Sequence, residues 1–327
     1  MNKSIKIFFK WFAVPVLAGW LFWSLYRQVQ EQADLDKAID LIKAAPSGRQ
    51  AWKFWLVIFL VFVNWGIEAR KWQWLMRPVQ RLPFFQAFKS VLAGVTLSLN
   101  MPNRIGEYAG RMLFVKEGSR LQTIPLSIAG SLAQLIVTVI MGCGGLAYLL
   151  LQPGTILTGM ELPPFWLKIF LSGSCLVALL MLFFYFRLGW LTRLVERLPY
   201  AQRFAVYLSV LENFDAKILL RLLSLSLFRY LVFVIQYGMM LQLMEVEADW
   251  GKIVWLVAVM FWILAIVPSF AIADLGIRGT VAKTLFFYSG NMLGVLAVTF
   301  GIWFVNLFIP ALLGSLLILG IKIRKDK

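Results

Sequence analysis

The stretch at residues 123–151, which contains no charged side chain, restricts the possible fold more than any other part of this sequence. About 20 apolar residues in a helix cross the roughly 30 Å of bilayer hydrocarbon. Backbone in that medium must satisfy its own hydrogen bonds, which a helix does. Comparable runs, one of them shorter, occupy residues 5–25, 52–75, 165–186, 222–244, 253–267 and 292–321. The sequence therefore predicts an all-α, polytopic membrane protein with residues 1–327 in one transmembrane domain.

The amino-acid composition limits the kinds of catalysis and ligand binding that this chain can perform. Hydrophobic residues make up 61% and charged residues 15% of the sequence, and histidine is absent. Without imidazole, the usual zinc sites and serine or cysteine catalysis lose a required group. We predict no catalytic residue, no metal site and no cofactor. The net charge of +16 lies in loops between apolar runs, which indicates anionic lipid rather than nucleic acid as the partner.

The loop charges predict how the chain is oriented. Basic residues crowd the segments after residue 68 and after residue 186, whereas acidic residues mark the segments around 161 and 245–249. Cytoplasmic loops carry the excess of lysine and arginine, so both termini are expected in the cytoplasm of a bacterial cell, with the protein in its plasma membrane. Residues 33–45 have the apolar spacing of an amphipathic helix, expected at the outer interface.

A first interrupted segment is expected at residues 84–116. Residues 90–99 are too few to cross the membrane, even when extended back to residue 84, and Pro102 then breaks the helix. A re-entrant segment fits this pattern. Beyond the break, Arg104, Glu107 and Arg111 fall on one helical face. Charges at that depth are costly unless they pair or line a wet cavity.

A second interrupted segment is expected at residues 268–290. Pro268 follows an apolar run, and Asp274 and Arg278 come next with i, i+4 spacing. Two broken segments at similar places in the two halves of a chain are typical of a transporter site near the bilayer midplane. In total we expect about eight membrane segments, two of them broken or re-entrant.

The motif Pro102-Asn-Arg-Ile-Gly-Glu107 with Arg111, and the later Leu275-Gly-Ile-Arg278, carry a family resemblance. Together they resemble the flippase-like family that includes the transmembrane region of lysylphosphatidylglycerol synthases. The chain departs from the family's late motif at Asp274 and Gly279. The soluble aminoacyl-transferring domain of the synthases is not recognised here, so the resemblance implies lipid translocation and not lipid aminoacylation.

Each charged position also has a plainer explanation. Arg104, Glu107 and Arg111 could form a salt-bridge ladder, or they could bind a lipid phosphate, with Glu107 orienting the arginines. Asp274 and Arg278 could pair with each other or join the same site. Arg229 lies in the middle of an apolar run and needs a buried partner. That partner could be Glu68, Glu107 or Asp274, and Arg229 with Glu68 could equally line a lipid pathway.

Two functions remain open at this point. The first is a flippase-like transporter that moves an anionic phospholipid or a polyprenyl-phosphate-linked lipid. The second is a non-transporting scaffold or regulator of an enzyme that makes envelope lipids or cell wall. Such an enzyme, or a second copy of the chain, is an expected partner. An intramembrane enzyme is disfavoured, because no nucleophile with its base is recognisable.

Overall fold

The computed structural model describes residues 35–99, 105–151, 163–190, 193, 206–267 and 271–325. For residues 35–39, 271–274 and 320–325 it describes the backbone alone. Within these ranges the chain is helical and has no β-strand. The expected first span at residues 5–25, the prolines 102 and 268, and the loop at 152–162 lie outside them.

Five helices are long and apolar enough to cross a membrane within the described residues, so the protein is a multi-pass membrane protein. The helices that precede the middle of the chain are α1 (Leu35–Ala44), α2 (Ala51–Met76), α3 (Phe84–Leu99), α4 (Gly106–Met112) and α5 (Thr123–Leu151). Those that follow are α6 (Pro164–Phe186), α7 (Ala216–Leu243), α8 (Trp250–Ile266), α9 (Ala271–Leu285), α10 (Met292–Trp303) and α11 (Ile309–Lys325). The long candidates are α2, α5, α6, α7 and the continuous helix Met292–Leu319 formed by α10 and α11.

Helices α2 and α7 pack against each other along an antiparallel seam with many polar contacts. As the residue number increases along α2, the number of the contacting residue in α7 decreases. The contacting pairs are Lys53 with Gln242, Val57 with Gln236, Asn64 with Arg229, and Lys71 with Ser226. A hydrogen bond between membrane helices holds their register, because the alternative is an unsatisfied polar group in hydrocarbon. This seam positions the charged residues described below.

Glycines bring α3 and α4 into direct backbone contact. A Cβ at Gly106 would overlap the Leu97 carbonyl, and one at Gly110 would overlap the Ala93 carbonyl. Small residues allow helix backbones to approach this closely. The seven-residue helix α4 is therefore held against α3, with Glu107 and Arg111 on it.

The last part of the chain contains two backbone features. Gly290 has a φ of 68°, a left-handed conformation that suits glycine, and it separates α9 from α10. Asn291 then caps α10 by accepting a hydrogen bond from the Gly294 N–H at 2.8 Å. Between α10 and α11 the helix widens to a π-helix at Phe304–Phe308, which the sequence analysis did not predict.

Two helix starts differ from the sequence-based expectation. Helix α7 begins at Ala216 and not near residue 222, because Asp215 accepts from the Ile218 N–H at 2.8 Å. Helix α8 begins at Trp250 because Asp249 accepts from the Lys252 N–H at 3.0 Å. Aspartate is a strong N-cap, so each helix extends outward to its cap beyond the apolar run. As a result, Lys217 and Arg221 belong to α7 and not to a loop.

Candidate functional site: a buried charge cluster beside a cavity

Glu68 of α2 lies at the centre of a buried charge cluster. Its side chain is 4% exposed and bonds to Lys71 at 2.8 Å, to Arg111 at 2.8 Å and to Arg229 at 2.9 Å. Lys71 is one helical turn further along α2, while Arg111 and Arg229 come from α4 and α7. Three cations around one carboxylate are tolerated in a low-dielectric interior only when they are paired and hydrogen-bonded.

Arg111 also bonds to the second carboxylate of the cluster, Glu107, one turn earlier on α4. Its guanidinium lies 4.7 Å from the centre of the Trp72 ring, a cation–π contact. The backbone of α4 is tied to α3 at the same place, because the Ser90 hydroxyl donates to the Arg111 carbonyl at 3.0 Å. The Trp72 indole N–H in turn donates to Ser90 at 3.1 Å. These contacts hold Arg111, only 2% exposed, in one orientation.

Arg229 connects the cluster to the π-helix. Its Nε donates to Asn64 Oδ1 at 2.7 Å, and Asn306 Oδ1 accepts from Asn64 Nδ2 at 3.0 Å. In an α-helix the Asn306 carbonyl would accept from position 310, but that residue is a proline and has no N–H. The Trp65 indole donates to this carbonyl instead, at 3.2 Å. The irregular helix is thus linked through two asparagines to Glu68.

The charge cluster forms one wall of a cavity of about 260 Å³. The cavity lies among helices α2, α4, α5 and α7. Its lining residues are Trp65, Glu68, Lys71, Glu107, Tyr108, Ser131, Gln134, Leu135, Thr138 and Arg229. Together with the adjoining Arg111, the charged members named here are three cations and two carboxylates, so their formal net charge is +1. The lining itself carries two cations and two carboxylates, and its cations Lys71 and Arg229 suit an anionic group.

The polar face of α5 forms another wall of the cavity. Ser131, Gln134 and Thr138 follow one another at i, i+3 and i+7, on one side of that helix. The Oε1 atom of Gln134 is buried and accepts no hydrogen bond from any described residue. Ser131 and Leu135 are exposed at the surface of the described bundle. The cavity therefore extends from the interior of the described bundle to its side. Because Gln134 lines this cavity, a ligand there could donate a hydrogen bond to the buried Oε1 atom.

The residues predicted from the sequence divide into three groups. Glu68, Glu107, Arg111 and Arg229 come together at the cluster, and the carboxylate that meets Arg229 is Glu68. Arg104 lies outside the described residues, and so does the side chain of Asp274. Arg278 is half-buried on α9 and is not among the cavity-lining residues. A shared site for Arg104 and Arg278 stays a prediction.

The sequence analysis missed Lys71 and Trp72. From the sequence, Lys71 groups with the basic loop residues that follow residue 68, and Trp72 groups with the aromatic residues expected to anchor span ends, but both are in α2 and are 1% and 0% exposed. The available signal was helical spacing, because Lys71 follows Glu68 by three residues and therefore lies on the same face. Amide side chains in apolar runs are expected from the sequence to bond between helices or to line a pathway, and these are Asn64, Gln134, Gln236 and Asn306. Here Asn64 bonds to Asn306, and Gln236 donates to the Val57 carbonyl.

Comparison with known families agrees with this architecture. Residues 11–314 match the family model described as the lysylphosphatidylglycerol synthase TM region. The chain belongs to this family. The match covers nearly the whole sequence and confirms the resemblance carried by the Pro102 to Arg111 motif. A comparison with individually curated proteins gives no match.

Proposed function

We propose that this member of the lysylphosphatidylglycerol synthase TM family is a flippase-like lipid transporter. It moves a lipid with an anionic, phosphate-bearing headgroup across the plasma membrane. The observation that carries the proposal is the cavity lined by the cations Lys71 and Arg229 and by Glu68, between helices long enough to span a bilayer. Charged groups at that depth are rare, and they are typical of substrate pathways.

The side opening of the cavity supports a lipid rather than a soluble anion. Leu135, which lines the cavity, is 38% exposed at the outer surface of α5 within the described bundle. A headgroup could occupy the polar interior while its acyl chains remain in the bilayer beside that surface. A soluble anion would need an aqueous path at one end of the bundle.

The α3–α4 pair has the role of a re-entrant hairpin in this proposal. Its two helices are each too short to span, and their glycine contacts keep Glu107 and Arg111 against α3. Arg104 would then lie just before α4, where free amides of a helix start also favour an oxyanion. Asp274 and Arg278 would act from the second broken segment.

The test measures headgroup movement in sealed vesicles that contain the purified chain and a fluorescent phospholipid, using an impermeant quencher. The decisive variant is Gln134→Leu, which removes a buried acceptor without touching any ion pair. Loss of an unpartnered polar atom is neutral or stabilising for the fold. We expect an unchanged or higher melting temperature together with a transport rate reduced by about tenfold, a barrier change of ~1.4 kcal/mol.

The matched control is Gln236→Leu, which replaces a buried glutamine of the spanning helix α7 that is not itself a cavity-lining residue. It loses a hydrogen bond to the Val57 carbonyl and is expected to lower stability while leaving transport per folded molecule intact. Equal transport in Gln134→Leu and the parent chain would reject the cavity as the pathway. No headgroup movement by the parent chain would favour the scaffold or regulator of an envelope enzyme. A homodimer or such an enzyme as partner stays a prediction.

A further inference from the structure

A second cluster of arginines lies beyond the charge cluster, where the contacts between the C-terminal end of α2 and the N-terminal end of α7 finish. Trp74 of α2 has the guanidinium carbon of Arg77 at 3.2 Å from its ring centre and that of Arg221 of α7 at 3.9 Å. Two planar guanidinium groups this close to one ring centre need opposite faces of the indole. We call Trp74, Arg77 and Arg221 the arginine–tryptophan stack. Both arginines are exposed, and Trp74 is partly buried against the core.

The stack leaves its hydrogen-bond donors unused. Guanidinium groups that pack face-on against a ring keep their N–H groups pointing outward in the plane of the fork. No described carboxylate forms a salt bridge with Arg77 or Arg221, and neither arginine donates to another described group. Two like charges held this close are better tolerated when one anion contacts both of them.

The spacing of the two arginines matches one phosphate group. The guanidinium carbons are at most about 7 Å apart, since both lie within 4 Å of the same ring centre. When a phosphate accepts one charge-assisted hydrogen bond on each side, its two donor nitrogens lie up to roughly 8 Å apart. It could therefore bridge both forks at the edge of the indole.

The position of the stack points to a lipid as the source of that phosphate. Arg221 precedes Arg229 by eight residues of α7, about 12 Å along the helix. Between them, Lys71 approaches Ser226 at 3.5 Å. The stack thus follows the charge cluster along the same seam. It lies at the end of the bundle where α2 ends and α7 begins, with the basic residues Arg77, Arg81 and Lys217. Trp74 is the kind of side chain that occupies the headgroup level of a bilayer.

We propose that the arginine–tryptophan stack binds the phosphate of an anionic phospholipid at the membrane surface, as a docking site beside the seam that leads to the cavity. The route from stack to cavity rests on the proposed function, whereas lipid binding at the stack does not. The site is distinct from the cavity, because none of its three residues lines it.

The test is native mass spectrometry of the delipidated full chain with phosphatidylglycerol as the probe and phosphatidylcholine as the reference. In the variant Arg77→Lys/Arg221→Lys, both charges remain but the planar forks are lost. We expect its preference for phosphatidylglycerol to fall about tenfold, the loss of one charge-assisted hydrogen bond. The charge-matched control Arg187→Lys/Arg193→Lys changes two other exposed basic residues and should keep the preference of the parent chain.

Trp74→Leu is a second variant that keeps both arginines but removes the ring that aligns them, and it should lose the preference as well. The melting temperature of each variant identifies any that fails to fold. Equal preference in the Arg77→Lys/Arg221→Lys variant and the parent would overturn the site, as would an equal loss in the Arg187→Lys/Arg193→Lys control. Binding of inorganic phosphate without preference for the lipid would also overturn it.

The outcome does not depend on transport. If Gln134→Leu transports normally while the stack variant loses phosphatidylglycerol, the proposed pathway fails and the docking site stands. If the stack variant binds normally while Gln134→Leu loses transport, the docking site fails and the pathway stands.

Discussion

Glu68 bonds to three cations at once, namely Lys71, Arg111 and Arg229. Each of these cations is shielded from water to at least 88%, because their side chains are 2%, 2% and 12% exposed. Removing one member of a buried ion cluster leaves the others uncompensated, which costs more than the pair itself contributes. The stability of the protein should therefore depend strongly on Glu68.

Glu68→Gln should lower the free energy of unfolding by about 3–5 kcal/mol, because three buried cations lose their shared carboxylate. Adding Lys71→Gln should restore part of that loss, since one uncompensated charge is then gone. The measurement is the melting temperature in one detergent.

The matched control at the residue scale is Glu117→Gln. Its carboxylate is 81% exposed and pairs with Arg120 at 3.2 Å, so the change should cost less than about 1 kcal/mol. Similar melting temperatures for Glu68→Gln and Glu117→Gln would contradict a structural role for the buried cluster.

At the scale of single helices, the short helix α4 depends on glycine contacts with α3. Gly110→Ala places a methyl group on the Ala93 carbonyl, so the helices must separate and Arg111 must move away from Glu68. We expect a loss of about 1–3 kcal/mol in stability, the usual cost of overpacking, measured by thermal unfolding.

Gly173→Ala is the control for that change. Gly173 lies within the spanning helix α6, and a Cβ there would meet no heavy atom within 4 Å. Alanine is the better helix former, so stability should stay equal or rise by up to about 1 kcal/mol. If Gly173→Ala lost as much stability as Gly110→Ala, the close approach of α4 to α3 would not be the reason that position 110 needs glycine.

The π-helix gives a second prediction at this scale. Trp65→Phe removes the donor to the Asn306 carbonyl and should cost about 1–3 kcal/mol. Pro310→Ala supplies a new N–H that an α-helix would direct to the same carbonyl. In the Trp65→Phe background, Pro310→Ala should therefore recover part of the melting temperature. If the two changes were simply additive losses, the indole would not be replacing the missing backbone donor.

At the scale of the whole molecule, the loops that join the spanning helices differ in charge. Lys116 and Arg120 come just before α5 in the chain, whereas Glu245, Glu247 and Asp249 lie between α7 and α8. The positive-inside rule predicts that the first group faces the cytoplasm. Both predicted cytoplasmic termini depend on the same rule.

Single cysteines test this orientation in a chain without Cys143 and Cys175. A cysteine at Ala248 should react with an impermeant thiol reagent in intact cells, whereas one at Lys116 should react only after the membrane is opened. Both positions are outside the spanning helices. The reverse pattern would invert the molecule in the membrane.

The sequence by itself determined the class of fold and the helical framework. Apolar runs long enough to cross a bilayer have few options other than helices, and the long candidates α2, α5, α6 and α7 are where those runs predict them. Local spacing also determined that Glu107 and Arg111 share a face, since i, i+4 positions are neighbours on any helix. The family match agrees with the motif that follows Pro102.

Only the tertiary structure decided which distant charges meet. Three carboxylates were possible partners for Arg229, and the packing of α2 against α7 selected Glu68, which is 161 residues away in the chain. The same packing buries Lys71, which its sequence neighbours place with the basic loop. Composition and spacing constrain a side chain to a face of its own helix. Which other helix covers that face depends on contacts between remote segments, which no local pattern encodes.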